Sequence, residues 1–195
     1  VRIGLLNEAA AAFEEAAALL QGLRNGLDME IELALGRASV EAAALRGGAG
    51  ADTVDGGAGD DTLLYTIGDG ADVLLDGGAD TDTLAITAGG GGQTLTTNYN
   101  GAQLAQVNGA TLANIEAVSA NLGGGTDFLS YAGTAAAVSV NLATGAASGF
   151  SSISNIENVT GGSAGDTLTG DGSANVLDGG AGNGNDALVG GGGND

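Results

Sequence analysis

From residue 47 the chain repeats itself every nine to eleven residues, a unit too short to hold a helix and a strand together. Residues 47–55 read GGAGADTVD and 56–64 read GGAGDDTLL. After a short insertion, 67–75 read IGDGADVLL and 77–85 read GGADTDTLA. The aspartates Asp52, Asp61, Asp72 and Asp82 are each followed two places later by an aliphatic residue, Val54, Leu63, Leu74 and Leu84. A weaker copy, LGGGTDFLS, spans 122–130 with Asp127. The series resumes at 161–169 (GGSAGDTLT) and 170–178 (GDGSANVLD), runs two residues longer at 179–189 (GGAGNGNDALV) and breaks off at GGGGND. Asp166, Asn175, Asp186 and Asp195 hold the key position there. Fixed short repetition of this kind predicts a solenoid. Each unit reads as a glycine-rich turn followed by a three-residue strand, with the middle residue inward and its neighbours outward.

One inward aliphatic side chain per strand is too little to order nine residues against their backbone entropy. The composition offers no other filler: aromatic residues are 3% of the chain and Trp is absent. It is not that of a disordered chain either, since 43% of residues are hydrophobic and there is no Pro. The missing stabilisation is therefore expected from the turns. Asp and Glu number 24 against 4 Lys and Arg, and the four bases (Arg2, Arg24, Arg37, Arg46) all lie in the first 46 residues. Residues 47–195 thus carry acids that repel one another with no internal cation to offset them. That balance argues against nucleic acid, whose phosphates need Lys or Arg, and against anionic lipid. It favours multivalent cations. Calcium takes six to eight oxygens at roughly 2.3–2.6 Å and accepts carboxylates mixed with backbone carbonyls, which a glycine-rich turn exposes. With two units to a coil, turns on one edge lie two units apart. That pairs Asp52 with Asp72, Asp61 with Asp82, Asp166 with Asp186 and Asn175 with Asp195, each pair around one calcium ion.

These units resemble the repeat-in-toxin family, whose consensus is GGxGxD followed by x-aliphatic-x. The clear motifs cover about 80 residues, and the NIE and VSVNLATG segments are similar to spacers between such blocks. The resemblance implies an all-β solenoid, a right-handed parallel β-roll that folds on calcium outside the cell after type I secretion guided by a C-terminal signal. It also implies that carbonyls of Gly47, Ala49, Gly56, Ala58, Gly161 and Gly179 join the aspartates as ligands. Three departures stand out: Asn175 replaces an Asp, Asp80 replaces a turn glycine, and the insertion Gly184-Asn185 puts the 166/186 site in question. Stopping in mid-repeat at Asp195, the chain reads as a piece lacking the C-terminal signal.

Four segments follow from this reading: an N-terminal cap (1–46), a first repeat block (47–85), spacer coils of the same solenoid (86–160) and a second block (161–195). In the cap, Leu6, Phe13, Leu20 and Leu27 fall seven apart and predict an α-helix over 7–25. Met29, Ile31, Leu33 and Leu35 alternate as in a strand, and Leu45 fits the strand ladder. The helix either caps the solenoid's open end or binds a partner. In the spacer, LANIEAVSANLGGGTDFL (112–129) echoes ISNIENVTGGSAGDTL (153–168), each copy preceded by a strand-like segment, TLTTNY (94–99) and VSVNLA (138–143).

No active site is expected. Residues 161–165 match the GxSxG nucleophile elbow, but the chain has no His to serve as base. Zinc lacks its His and Cys ligands as well. No stretch approaches the roughly 20 apolar residues of a membrane span, and the sequence starts at Val1 with no basic, apolar signal-peptide pattern, so any targeting signal is expected to lie outside it or to have been removed. The expected function is that of an extracellular, calcium-binding structural or adhesive protein at a bacterial surface, such as a surface-layer or filament subunit that self-assembles into a lattice. The alternative is the calcium-folding carrier portion of a secreted protease, lipase or toxin.

Overall fold

The computed structural model describes residues 44–195; the helix expected over 7–25 and the strand over 29–35 lie outside them. The described residues are all-β. In the first block, β1 (Ala44–Leu45), β2 (Thr53–Asp55), β3 (Thr62–Ile67), β4 (Leu74–Asp76) and β5 (Thr83–Ala88) alternate between two sheets. Every pairing among them is parallel, with Leu45 opposite Leu63 and Leu63 opposite Leu84. Leu45 therefore belongs to the strand ladder. The middle residue of each short strand points inward: in β2, Val54 is buried between exposed Thr53 and Asp55. One unit deviates from the counted spacing. Leu75 is buried and Leu74 only partly so, because Val73 bulges out at 59% exposure. A single extra residue reverses which side chain faces the core.

The middle segment adds β6 (Thr94–Tyr99), β7 (Leu104–Val107), β8 (Ala110–Ala113), β9 (Ala117–Asn121), β10 (Phe128–Ser130), β11 (Ser139–Asn141), β12 (Ala146–Ala147), β13 (Ser152–Ser154) and β14 (Asn158–Thr160). The second block contributes β15 (Thr167–Thr169), β16 (Val176–Asp178) and β17 (Ala187–Val189). They complete three sheets, ordered β1-β3-β5-β9-β13, β2-β4-β8-β7-β6-β10-β14-β16 and β12-β11-β15-β17. Stacked parallel strands of this order are compatible with a β-solenoid. The middle segment also introduces antiparallel pairs, β6 with β7, β7 with β8, and β11 with β12. The β7–β8 reversal is a two-residue Asn108-Gly109 turn with both residues at positive φ, 47° and 91°, the conformation that fits strand twist in a tight hairpin.

The core runs through the middle segment. Among the described residues, the strands of the two repeat blocks bury Val54, Leu63, Tyr65, Leu75, Leu84, Ile86 and Leu168, whereas Leu95, Val107, Leu122, Leu129, Tyr131, Val140 and Ile153 are among many buried in the middle segment. Tyr131 is fully buried and donates its hydroxyl to the Ser148 carbonyl at 2.7 Å. Burial holds its phenol above the ordinary tyrosine range. Each fully buried leucine is worth about 1.5–3 kcal/mol, so the repeat blocks hold far less apolar stabilisation per coil than the segment between them. Among the described residues no helix is long and apolar enough to cross a membrane.

Candidate metal centre

The turns that join the strands owe their shape to a few positions. In the unit beginning at Gly56, Gly57 has φ 93° and Gly59 has φ 114°, a region that glycine enters without strain. In the unit beginning at Gly77, the second of these positions is Asp80, at φ 85°. Aspartate tolerates this region better than most residues, and the turn survives: Asp80 accepts the Gly59 N–H at 3.2 Å and Asp60 accepts the Thr81 N–H at 2.9 Å.

The sixth-position acids form ladders from coil to coil. Asp72 Oδ1 accepts the Asp52 N–H at 3.2 Å, and Asp82 Oδ1 accepts the Asp61 N–H at 2.7 Å. Asp186 Oδ1 accepts the Asp166 N–H and Asp195 Oδ1 the Asn175 N–H, both at 2.9 Å. The structure thus brings together all four pairs expected from the spacing. Gly184-Asn185 does not interrupt the 166/186 contact: Gly184 packs over Ala164 and Gly165, so the two extra residues are taken up before Asp186. Asp127 belongs to a ladder the spacing did not show, accepting the Gln93 N–H at 2.7 Å.

The first glycine of a unit is required by crowding. A Cβ on Gly56 would collide with the Gly77 carbonyl oxygen and with Asp61 Oδ2; on Gly161, with the Gly179 carbonyl and Asp166 Oδ2; on Gly170, with the Gly190 carbonyl and Asn175 Oδ1. A Cβ on Gly47 would press on Asp52. Gly56, Gly161 and Gly170 each leave a cradle where a carbonyl of the next coil and a side-chain oxygen of the glycine's own unit converge. Ala49 and Ala58 are exposed on their turns, and Ala58 bridges to Ala79 of the next coil.

These oxygens are short of donors. Asp61, Asp82 and Asp127 are buried and Asp52 is partly so, yet the Oδ2 of each has no hydrogen-bond partner. Burial pushes the Asp61 carboxyl above the ordinary aspartate range, and the charges of Asp82, Asp60 and Asp55 add to the rise. Burial does the same at Asp72, reinforced by Asp52 and Asp69 and opposed by the bond from the Asp52 N–H. A buried carboxylate oxygen with neither donor nor cation is costly. Among the described residues no three His, Cys, Asp or Glu side chains gather at one point. The convergent pairs are instead one carboxylate and one carbonyl. All-oxygen donors of this kind suit a hard divalent cation, and the residues present fit calcium.

The second block is better satisfied. Asp166 Oδ2 accepts the Gly162 N–H at 2.7 Å. Asn175 accepts the Asp171 N–H with Oδ1 and donates Nδ2 to the Glu157 carbonyl, both at 2.8 Å. Ser163, the serine of the GxSxG match, donates its hydroxyl to the Thr134 carbonyl at 3.2 Å as part of this turn.

Two members of the ladders escaped the sequence reading. Glu116 accepts the Asp82 N–H at 2.7 Å and Glu157 accepts the Asp127 N–H at 2.8 Å. Both belong to the NIE tripeptides. The signal was the spacing to the next buried aliphatic residue: Glu116 precedes Val118, and Glu157 precedes Val159, by the same two places as the aspartates. Compared with known proteins, the chain matches no family model, no curated sequence and no solved structure.

Proposed function

We propose that this chain is an extracellular calcium-binding protein, a right-handed β-roll with a structural or adhesive role at a bacterial surface, ordered by calcium after secretion. The observation that carries the reading is the set of carboxylate oxygens on Asp52, Asp61, Asp82 and Asp127 that lack a hydrogen-bond donor. Calcium supplies the positive charge and the empty coordination positions that these oxygens lack. The pairs 52/72, 61/82, 166/186 and 175/195 hold the ions, with Asp127 in a further turn and carbonyls of Gly47, Ala49, Gly56, Ala58, Gly161 and Gly179 beside them. The residues themselves set the geometry: position-one glycines let the coils approach, and Oδ1 bonds hold Asp82, Asp186 and Asp195 with Oδ2 facing Gly77, Gly179 and Gly190.

Circular dichroism on the chelated and calcium-titrated chain tests this. Strand signal rising with calcium, and not with magnesium, which dehydrates reluctantly and demands tighter octahedral geometry, is the expected result. A chelated sample with its full strand spectrum overturns it. For the surface role, ordered lattices or filaments seen by electron microscopy of native material are the expected observation; a secreted catalytic domain in the same polypeptide, with no assembly, argues for the carrier reading instead.

A further inference from the structure

We propose that the Asn114-Ile115-Glu116 turn forms one half of a calcium site whose other half is the Gly77–Asp82 turn, with the Asn114 carbonyl, the Asp82 carboxylate and Glu116 as ligands. The proposal rests on the calcium reading of the repeats and extends it to a turn that has none of their glycines.

The equivalence is set by register. Ala117 pairs with Thr83 and Val118 with Leu84, so Glu116 stands opposite Asp82. Its Oε2 accepts the Asp82 N–H at 2.7 Å, as Asp82 Oδ1 accepts the Asp61 N–H at 2.7 Å. That contact uses one lone pair of a carboxylate that has about four. At the start of the turn, a Cβ on Gly77 would collide with the Asn114 carbonyl oxygen and Asp82 Oδ2. The same pair of oxygens, a carbonyl from the next coil and the unit's own carboxylate, fills the cradles of Gly56 and Gly161. Asp82 has no exposed surface and its Oδ2 has no donor. A fully buried, unpartnered carboxylate oxygen is thus aimed at the Asn114 carbonyl.

Three residues can do the work of six because each has a second anchor. Asn114 reverses the chain at φ 48°, and its Nδ2 donates to Asp76 Oδ1 of the neighbouring coil at 2.8 Å. Ile115 packs against the core. Glutamate's extra methylene lengthens the reach of the carboxylate from a shorter turn.

Asn155-Ile156-Glu157 makes the same turn: Asn155 has φ 54°, its Nδ2 donates to Asn121 Oδ1 at 2.7 Å, and Glu157 accepts the Asp127 N–H at 2.8 Å. The facing first position, however, is Leu122 and not glycine, fully buried and bonded through its N–H to the Ser154 carbonyl. A side chain starts where Gly77 leaves room, although Asp127 Oδ2 is as buried and as short of a donor there as Asp82 Oδ2.

The test is the number of calcium ions bound per full-length chain, measured by titration calorimetry with circular dichroism as the check on folding. Glu116→Gln keeps an acceptor for the Asp82 N–H and removes the charge; Gly77→Ala puts a methyl in the cradle. Each is expected to lose one ion relative to wild type, while Asp55→Ala, at an exposed strand position, keeps the wild-type number. If Gly77→Ala fails to fold, Glu116→Gln alone decides. Wild-type stoichiometry and affinity in Glu116→Gln overturn the inference while leaving the repeat sites standing. A wild-type chain that binds no calcium at all overturns both.

Discussion

Asp82 Oδ1 accepts the backbone N–H of Asp61 at 2.7 Å, while Oδ2 of the same carboxylate, equally buried, meets no donor. One carboxylate therefore does two separable things: it holds the preceding coil, and it carries an uncompensated charge. Asp82→Asn separates them. The amide keeps the acceptor and supplies a donor beside the Asn114 carbonyl, as Asn175 Nδ2 already does toward the Glu157 carbonyl. In chelator, Asp82→Asn is expected to show more strand signal than wild type; in calcium it is expected to gain less. An unchanged calcium requirement, read by circular dichroism, contradicts this.

Asp55 closes one unit and Asp61 lies six residues on in the next, and the two face different surroundings. Asp61 is buried beneath the Gly56 cradle; Asp55 is an exposed strand residue. Asp61→Ala is expected to weaken calcium binding roughly 10- to 100-fold at its site, the worth of about 1.5–3 kcal/mol for contacts to a charged group. Asp55→Ala is expected to stay within a few-fold of wild type. Calorimetric titrations that cannot tell the two variants apart reject the sixth position as ligand.

Asn175 shows what the ladder looks like with its charge removed, both amide atoms being bonded. Asn175→Asp exchanges the donor Nδ2 for an oxygen facing the Glu157 carbonyl. The variant should melt at a lower temperature than wild type in chelator and recover the difference in calcium. Equal melting in chelator would show that this turn tolerates the charge without an ion.

Acid should act on the calcium-free chain in the opposite sense to its action on most proteins. Asp61 and Asp72 have carboxyl groups raised in the fold, so the folded state binds more protons than the unfolded one above the ordinary aspartate range of about 4. Stability of the metal-free fold is then present at low pH and lost as pH rises through the raised values. Protons also compete with calcium, so the calcium midpoint is expected to rise as pH falls through the same window. Chelated protein that gains order on going from acid to neutral pH contradicts the assignment.

The turn-plus-strand unit was legible because glycine, aspartate and one aliphatic residue recur at fixed places, and Thr53-Val54-Asp55 or Thr167-Leu168-Thr169 takes up the alternation this predicts. The bulge at Val73 was not, since counting from Asp72 gives Leu74 the same spacing whichever way it points. The Asn108-Gly109 hairpin carries a two-residue signal, overshadowed in a segment read as more of the same coil. Glu116 and Glu157 were hidden for another reason: the NIE turn drops the glycines that mark a unit, leaving only the two-place spacing to Val118 and Val159 as a trace of the aspartate's place.

The three sheets also differ in where they stop. The five-stranded sheet ends at β13 and the four-stranded one starts at β12, while β10, β14 and β16 continue one sheet past that level. Sheet hydrogen bonds lie across the strands, along the direction in which coils stack. A pull applied in that direction meets a continuous run of bonds on one side and a seam on the other, crossed only by contacts such as the Ile153 N–H to the Gly145 carbonyl at 2.9 Å. Under load the molecule would hinge open there, with the eight-stranded sheet acting as the tendon.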